Sequence, residues 1–232
     1  MTERPGGELS SRPLHFMWIC DCSGSMNTDG KIQALNNAIK EAMPEMQKVA
    51  DENPNAQVMV NALKFSSGAQ WINAVPVPVD KYKWVDLDAE GVTEMGIAFG
   101  MVAEQLKMPP MPERALPPVL VLISDGQPTD DWKSGLKKIM DQPWGKRAVR
   151  IAIAIGSDAD FNSLQEFIGN SELKPLAAHN PESLVKYIKW VSTAVVKMAS
   201  APASEAKDSK QPAGTVEIPQ VPTGPSNVQD VW

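Results

Sequence analysis

Residues 14–26 read LHFMWIC-DCSGSM, an unbroken apolar run from Leu14 to Cys20 that stops on Asp21-Cys22-Ser23-Gly24-Ser25-Met26. A second run, VLVLIS over 119–124, stops in the same way on Asp125-Gly126 and continues as QPTDDW. RIAIAIG (150–156) and AQVMVNALKF (56–65) are two more short apolar stretches. None of the four alternates cleanly between apolar and polar positions. Strands of this kind belong to a sheet covered on both faces. Between them the period changes. Ile32, Leu35, Ile39, Met43 and Met46 recur at steps of three and four, the spacing of a helix face. Further helices are expected over Thr93–Leu106, Asp131–Met140, Phe161–Ile168 and Pro181–Met198. Strands alternating with helices imply right-handed crossovers. The expected fold class is therefore α/β, a doubly wound, mostly parallel central sheet with helices on both faces.

Some segments need separate treatment. Pro44 falls inside the first helical stretch, and a break is expected there, with Pro44 opening a second turn. Ala69–Val79, with Trp71 and several valines, reads as one short antiparallel edge strand. Lys107–Pro118 carries Pro109, Pro110, Pro112, Pro117 and Pro118 and reads as an exposed loop. From Ser200 onward prolines are scattered among Ala, Ser, Lys and Gln, a composition that cannot bury enough apolar surface to order itself. The expected organisation is an N-terminal extension over 1–13, one domain over 14–199, and a Pro-rich flexible tail over 200–232. Within the tail, Val216, Ile218 and Val221 recur among prolines at a spacing suited to an extended segment in a groove, and Trp232 is a candidate anchor for a partner.

Composition narrows the function. The formal net charge of −6 argues against a nucleic-acid binder driven by phosphate contacts. Two cysteines are too few for a disulfide framework, and with His15 and His179 they do not complete a zinc site. Residues 1–13 have no apolar core of the kind a secretory leader carries. Residues 184–199 are partly apolar, but Lys186, Lys189 and Lys197 make them an amphipathic helix rather than a membrane span. The expectation is a cytoplasmic protein with no membrane partner.

In a doubly wound sheet, ligands bind outside the carboxyl ends of the strands, where the strand order reverses. If the runs at 14–20 and 119–124 are neighbouring strands, Asp21 and Asp125 meet there. Ser23 and Ser25, two apart on a turning loop, can aim both hydroxyls at the same point, with Gly24 giving the loop its freedom. This donor set is all oxygen and suits a hard divalent cation such as Mg²⁺. Neutral hydroxyls leave the ion electrophilic, ready for an outside carboxylate. Asp130 and Asp131 are read as helix-start acids. Trp132 is read as a rim residue for a partner or as packing over its helix, Cys20 and Cys22 as structural, and the two histidines as non-catalytic.

DCSGSM resembles the D-x-S-x-S motif of the metal-ion-dependent adhesion site (MIDAS) in von Willebrand factor A domains. In that family a threonine and an aspartate from two further loops complete the site. Gly91-Val92-Thr93-Glu94-Met95-Gly96 is similar to the second loop and Ile123-Ser124-Asp125-Gly126 to the third. The resemblance spans roughly residues 14–199 and implies a divalent ion, Mg²⁺ or Mn²⁺, held by Asp21, Ser23, Ser25, Thr93 and Asp125. It implies a protein partner that donates an Asp or Glu side chain, and binding rather than catalysis. Within the family, DGQPTDDW and ALKFSSGAQW (62–71) look like TerY-type bacterial proteins of tellurite-resistance and stress operons. That similarity implies a PP2C-type phosphatase and a serine/threonine kinase as partners. Two alternatives share the residues: a magnesium-dependent phosphoesterase-like enzyme, for which no phosphate cradle or nucleophile elbow is present in the sequence, and a subunit of an AAA-type motor assembly.

Overall fold

The computed structural model describes residues 11–201, 219–222 and 231–232. Among these, seven strands form one sheet: β1 (Arg12–Asp21), β2 (Ala56–Ser66), β3 (Gly68–Trp71), β4 (Val77–Pro78), β5 (Val119–Ser124), β6 (Val149–Ile155) and β7 (Leu176–Ala178). The helices are α1 (Lys31–Asp51), α2 (Met95–Gln105), α3 (Trp132–Asp141), α4 (Pro143–Arg147), α5 (Phe161–Ile168), α6 (Pro181–Trp190) and α7 (Val196–Ala199). A tight 3₁₀ segment, Gly24–Gly30, leads into α1, and a π turn at Val191–Val195 joins α6 to α7.

The strand order is β3-β2-β1-β5-β6-β7, with β4 also on β2. β1 pairs parallel with both β2 and β5, and the β5-β6 and β6-β7 pairs are parallel too. From β1 the chain first moves one place to β2, then returns across the sheet to β5. Right-handed crossovers in opposite directions place α1 and α2 on opposite faces. Accordingly α1 packs on α6 while α2 packs on α3. Both faces of the centre are covered, which is why all six residues of β5 are buried and β1 is buried from Leu14 to Asp21. Phe16 and Trp18 meet edge to face on β1, with ring centroids 4.7 Å apart.

Three local expectations are corrected. First, α1 runs unbroken through Pro44. Pro44 cannot donate to Lys40, but both residues are exposed, so the freed carbonyl lies on the solvent side of the helix, while buried Ile39, Ala42 and Met46 hold it on the sheet. Second, the single edge strand expected over 69–79 is two short strands, β3 and β4, each antiparallel to β2. Third, β7 and α4 are elements the apolar pattern did not announce. No helix among the described residues is long and apolar enough to cross a membrane. The extension at 1–10 and the tail residues Val216 and Ile218 lie outside the described residues. Val221 and Trp232 lie against the domain, partly buried on its core.

Candidate functional site

The reversal of strand order falls between β1 and β5, and the register Cys20↔Ile123 sets their carboxyl ends level. Asp21 closes β1, Ser124 closes β5 and Asp125 follows. Asp21 is fully buried: one carboxylate oxygen accepts the Ser23 N–H at 2.8 Å and the other accepts the Ser124 hydroxyl at 2.5 Å. The Ser23 and Ser25 hydroxyls lie 3.0 Å apart, and Ser25 donates to Asp125 Oδ1 at 2.7 Å. Ser23 and Asp125 are buried, whereas Ser25 is exposed and opens the cluster to solvent.

The loop of Thr93 is threaded between the other two. Gly24 donates its N–H to Gly91 O at 3.0 Å and Glu90 donates to Cys22 O at 2.8 Å. Gly24 does not need a left-handed backbone; its role is space, because a Cβ there would lie 3.3 Å from Gly91 O. On the other side Thr129 donates its N–H to Thr93 O at 2.9 Å. The convergence is clearest at Gly126. A Cβ at that position would stand 3.2 Å from Thr93 Oγ1, 3.6 Å from Ser25 Oγ and 3.7 Å from Asp21 Oδ2. Oxygens of two loops thus converge on one point beside the third, and the absence of a side chain at Gly126 keeps it clear.

Two residues that sequence reasoning passed over belong to this cluster. Ser124 looks like the last residue of a strand, yet its hydroxyl is a partner of Asp21. Lys31, the first residue of α1, forms an ion pair with Asp125 Oδ2 at 2.8 Å. The signal for Lys31 was available: a helix N-terminus favours acids, and a lysine there is out of place.

Burial drives the electrostatics. It pushes the Asp21 carboxyl up to about 6; hydrogen bonds from Ser124 and Ser23 oppose the rise and the Asp125 carboxylate adds to it. Cys20 and Cys22 are free and buried, and burial pushes the Cys22 thiol up to about 12, so neither is a ready nucleophile. Asp131 caps its own helix, α3, as expected, but Asp130 caps α2 instead. Trp132 is half-buried against the core at the start of α3, with the Lys133 ammonium 5.3 Å from its ring. Trp232 docks on its own domain: its indole donates to Asp29 O at 3.1 Å.

A mostly parallel, doubly wound sheet with an oxygen-lined cluster at its switch point defines a class, and the comparisons name the fold. No family model matches the chain, and no curated protein matches it in sequence. Solved structures do match. A von Willebrand factor type A protein from Catenulispora acidiphila is similar at 16% identity over 82% of this chain and 43% of its own, with a TM-score of 0.58. Proximal thread matrix protein 1 from the mussel byssus, with a zinc-occupied MIDAS motif, is similar at 16% identity over 84% of this chain and 49% of its own, TM-score 0.60. The pilus adhesin SpaC from Lactobacillus rhamnosus GG is similar at 13% identity over 79% and 30%, TM-score 0.62. The match therefore spans less than half the length of each of these structures. The chain has the fold of a von Willebrand factor A domain.

Proposed function

We propose that this protein is a metal-dependent protein-binding module, in which Asp21, Ser23, Ser25, Thr93 and Asp125 hold a divalent cation that receives a carboxylate from a partner. The observation that carries the reading is the clear point beside Gly126, ringed by Asp21 Oδ2, Ser25 Oγ and Thr93 Oγ1. The residues fit a hard cation. Asp21 is a buried carboxylate whose bonds come only from the neutral donors Ser23 and Ser124, so lone pairs remain for a positive charge. The zinc-occupied motif of the mussel byssus protein supports a divalent ion at the corresponding place on this fold.

When bound, the ion supplies a Lewis-acidic position for an outside oxygen. The protein supplies the frame. The hydroxyls of Ser23 and Ser25 are already engaged with each other and with Asp125, which favours binding over nucleophilic catalysis. Ser25, exposed at the rim, marks the side from which a partner approaches. The TerY-like stretches 125–132 and 62–71 extend the reading to a cytoplasmic adaptor for a PP2C-type phosphatase and a serine/threonine kinase. The ion is Mg²⁺ or Mn²⁺ on the all-oxygen donor set and the resemblance to the metal-ion-dependent adhesion site.

The test is affinity capture from the native cell with wild type and Thr93→Ala, each with Mg²⁺ and with EDTA. A partner retained by wild type with Mg²⁺, and lost with EDTA or in Thr93→Ala while circular dichroism stays native, supports the reading. Equal capture under all four conditions places the interface elsewhere.

A further inference from the structure

We infer that Lys31 is a cation built into the site, which half-neutralises the two carboxylates and so sets how tightly a divalent ion binds; this rests on the metal-binding reading above. Four observations lead to it. Lys31 is the first residue of α1, whose first turn holds no acid. The positive end of the helix dipole disfavours a cation at that position, so helix stability does not explain the residue. Its side chain is only 9% exposed, and burying an ammonium is unfavourable unless it is paired. The pair is Asp125 Oδ2 at 2.8 Å, itself with no exposure.

The surroundings are also shaped for the ammonium. Gly156, just past β6, has φ +84, and a Cβ there would stand 3.3 Å from Lys31 Nζ and 3.5 Å from its Cε. A side chain at 156 would crowd the charge. Leading into α1, Asp29 (φ 51) and Gly30 (φ 73) are both left-handed, a turn that brings the chain round to Lys31. Trp232 donates to the Asp29 carbonyl of that same turn.

The charge balance follows. Asp21 and Asp125 contribute two negative charges and Lys31 one positive, so the cluster carries −1 before a divalent ion enters and +1 afterwards. Without Lys31 the loaded site would be neutral. Lys31 therefore weakens the ion's own affinity, strengthens the pull on an anionic partner group, and spares the ion-free domain a second buried carboxylate with no cation beside it.

The experiment is calorimetric titration of the full chain with Mn²⁺, using wild type, Lys31→Met and Lys31→Arg, alongside melting curves with and without the ion. Lys31→Met is expected to melt lower without Mn²⁺, to bind it about tenfold or more tightly than wild type, and to gain more in melting temperature from it. Lys31→Arg, which keeps the charge, is expected to stay near wild type. Unchanged or weaker Mn²⁺ binding by Lys31→Met, with wild type binding normally, overturns this inference alone. A wild type that takes up no Mn²⁺ overturns the metal reading and this one together. Should Lys31→Met fail to fold, Lys31→Gln, which keeps a donor for Asp125, carries the same comparison.

Discussion

The carboxylate of Asp130 reaches across to the backbone of Gly96, accepting its N–H at 2.8 Å, and takes the neighbouring Ile97 N–H at 2.9 Å. It thereby caps α2, a helix that begins two residues after Thr93, from the loop that carries Asp125. Asp131, beside it, accepts the Ser134 N–H at 3.1 Å and caps α3. Two adjacent acids thus lock two different helices, and only the first ties the Thr93 loop to the Asp125 loop.

Substituting either acid removes a cap, at about 1 kcal/mol each, or roughly 2–4 °C in melting temperature for a domain of this size. The pair separates on metal binding. Asp130→Ala is expected to weaken Mn²⁺ binding as well as stability, because the Thr93 loop then keeps only the Thr129 N–H bond to Thr93 O as its tie to the Asp125 loop; Asp131→Ala is expected to lower stability alone. Melting curves combined with Mn²⁺ titrations of both variants read the difference. Equal Mn²⁺ affinity in the two would show that the tether does not position Thr93.

A second tether runs through Asn36, buried on α1. Its Nδ2 donates to Leu87 O at 2.9 Å, and its Oδ1 accepts from Leu87 N at 2.9 Å and from Trp84 Nε1 at 3.0 Å. One side chain thus satisfies three groups of the loop that leads to Thr93. Asn36→Leu leaves all three unpaired and is expected to lower unfolding free energy by about 3 kcal/mol or more, since each orphaned buried polar group costs on the order of 1–3 kcal/mol. Urea denaturation measures it. A change within the noise would mean that water replaces the side chain.

Acid should destabilise the domain in part through His15. It lies buried on β1, its Nδ1 has no hydrogen-bond partner among the described residues, and burial lowers its pKa from 6.5 to about 4. The unfolded chain therefore takes up a proton between pH 6.5 and 4 that the folded chain refuses. The stability conferred by neutral His15 is complete above pH 6.5 and is lost as pH falls towards 4, by up to about 3 kcal/mol. His15→Leu is expected to flatten this part of the stability profile, read as unfolding free energy from pH 7.5 to 4.5. A profile in His15→Leu as steep as that of wild type would assign the acid sensitivity to other groups.

Much of the sheet was legible because β1, β2, β5 and β6 are short apolar runs bounded by polar turns, and a strand buried on both faces has no other way to look. LAA at 176–178 is too short to carry a period, and β7 is a strand only because β6 offers it an edge. Pro44 was misread because the rule about helix breaking ignores which face the proline occupies. The five oxygen-bearing residues stand out in the sequence because each lies at or just after the end of a strand or just ahead of a helix, and the structure brings them into one cluster. Ser124 does not, because its role exists only once β1 pairs with β5 in the register that sets Cys20 beside Ile123. Lys31 stands out as a cation opening a helix, but only the fold supplies its partner, Asp125.

Asp21 and Asp125 are proposed to hold a divalent ion at the switch point. The most direct measurement is the melting temperature of wild type, Asp21→Ala and Asp125→Ala, each with EDTA and with saturating Mg²⁺ or Mn²⁺. A ligand that binds only the folded state at a hundredfold excess over its dissociation constant adds about 2.7 kcal/mol, or roughly 5–11 °C for a domain of this size. That rise is expected in wild type and in neither variant. The same rise in Asp21→Ala as in wild type would contradict the proposed site.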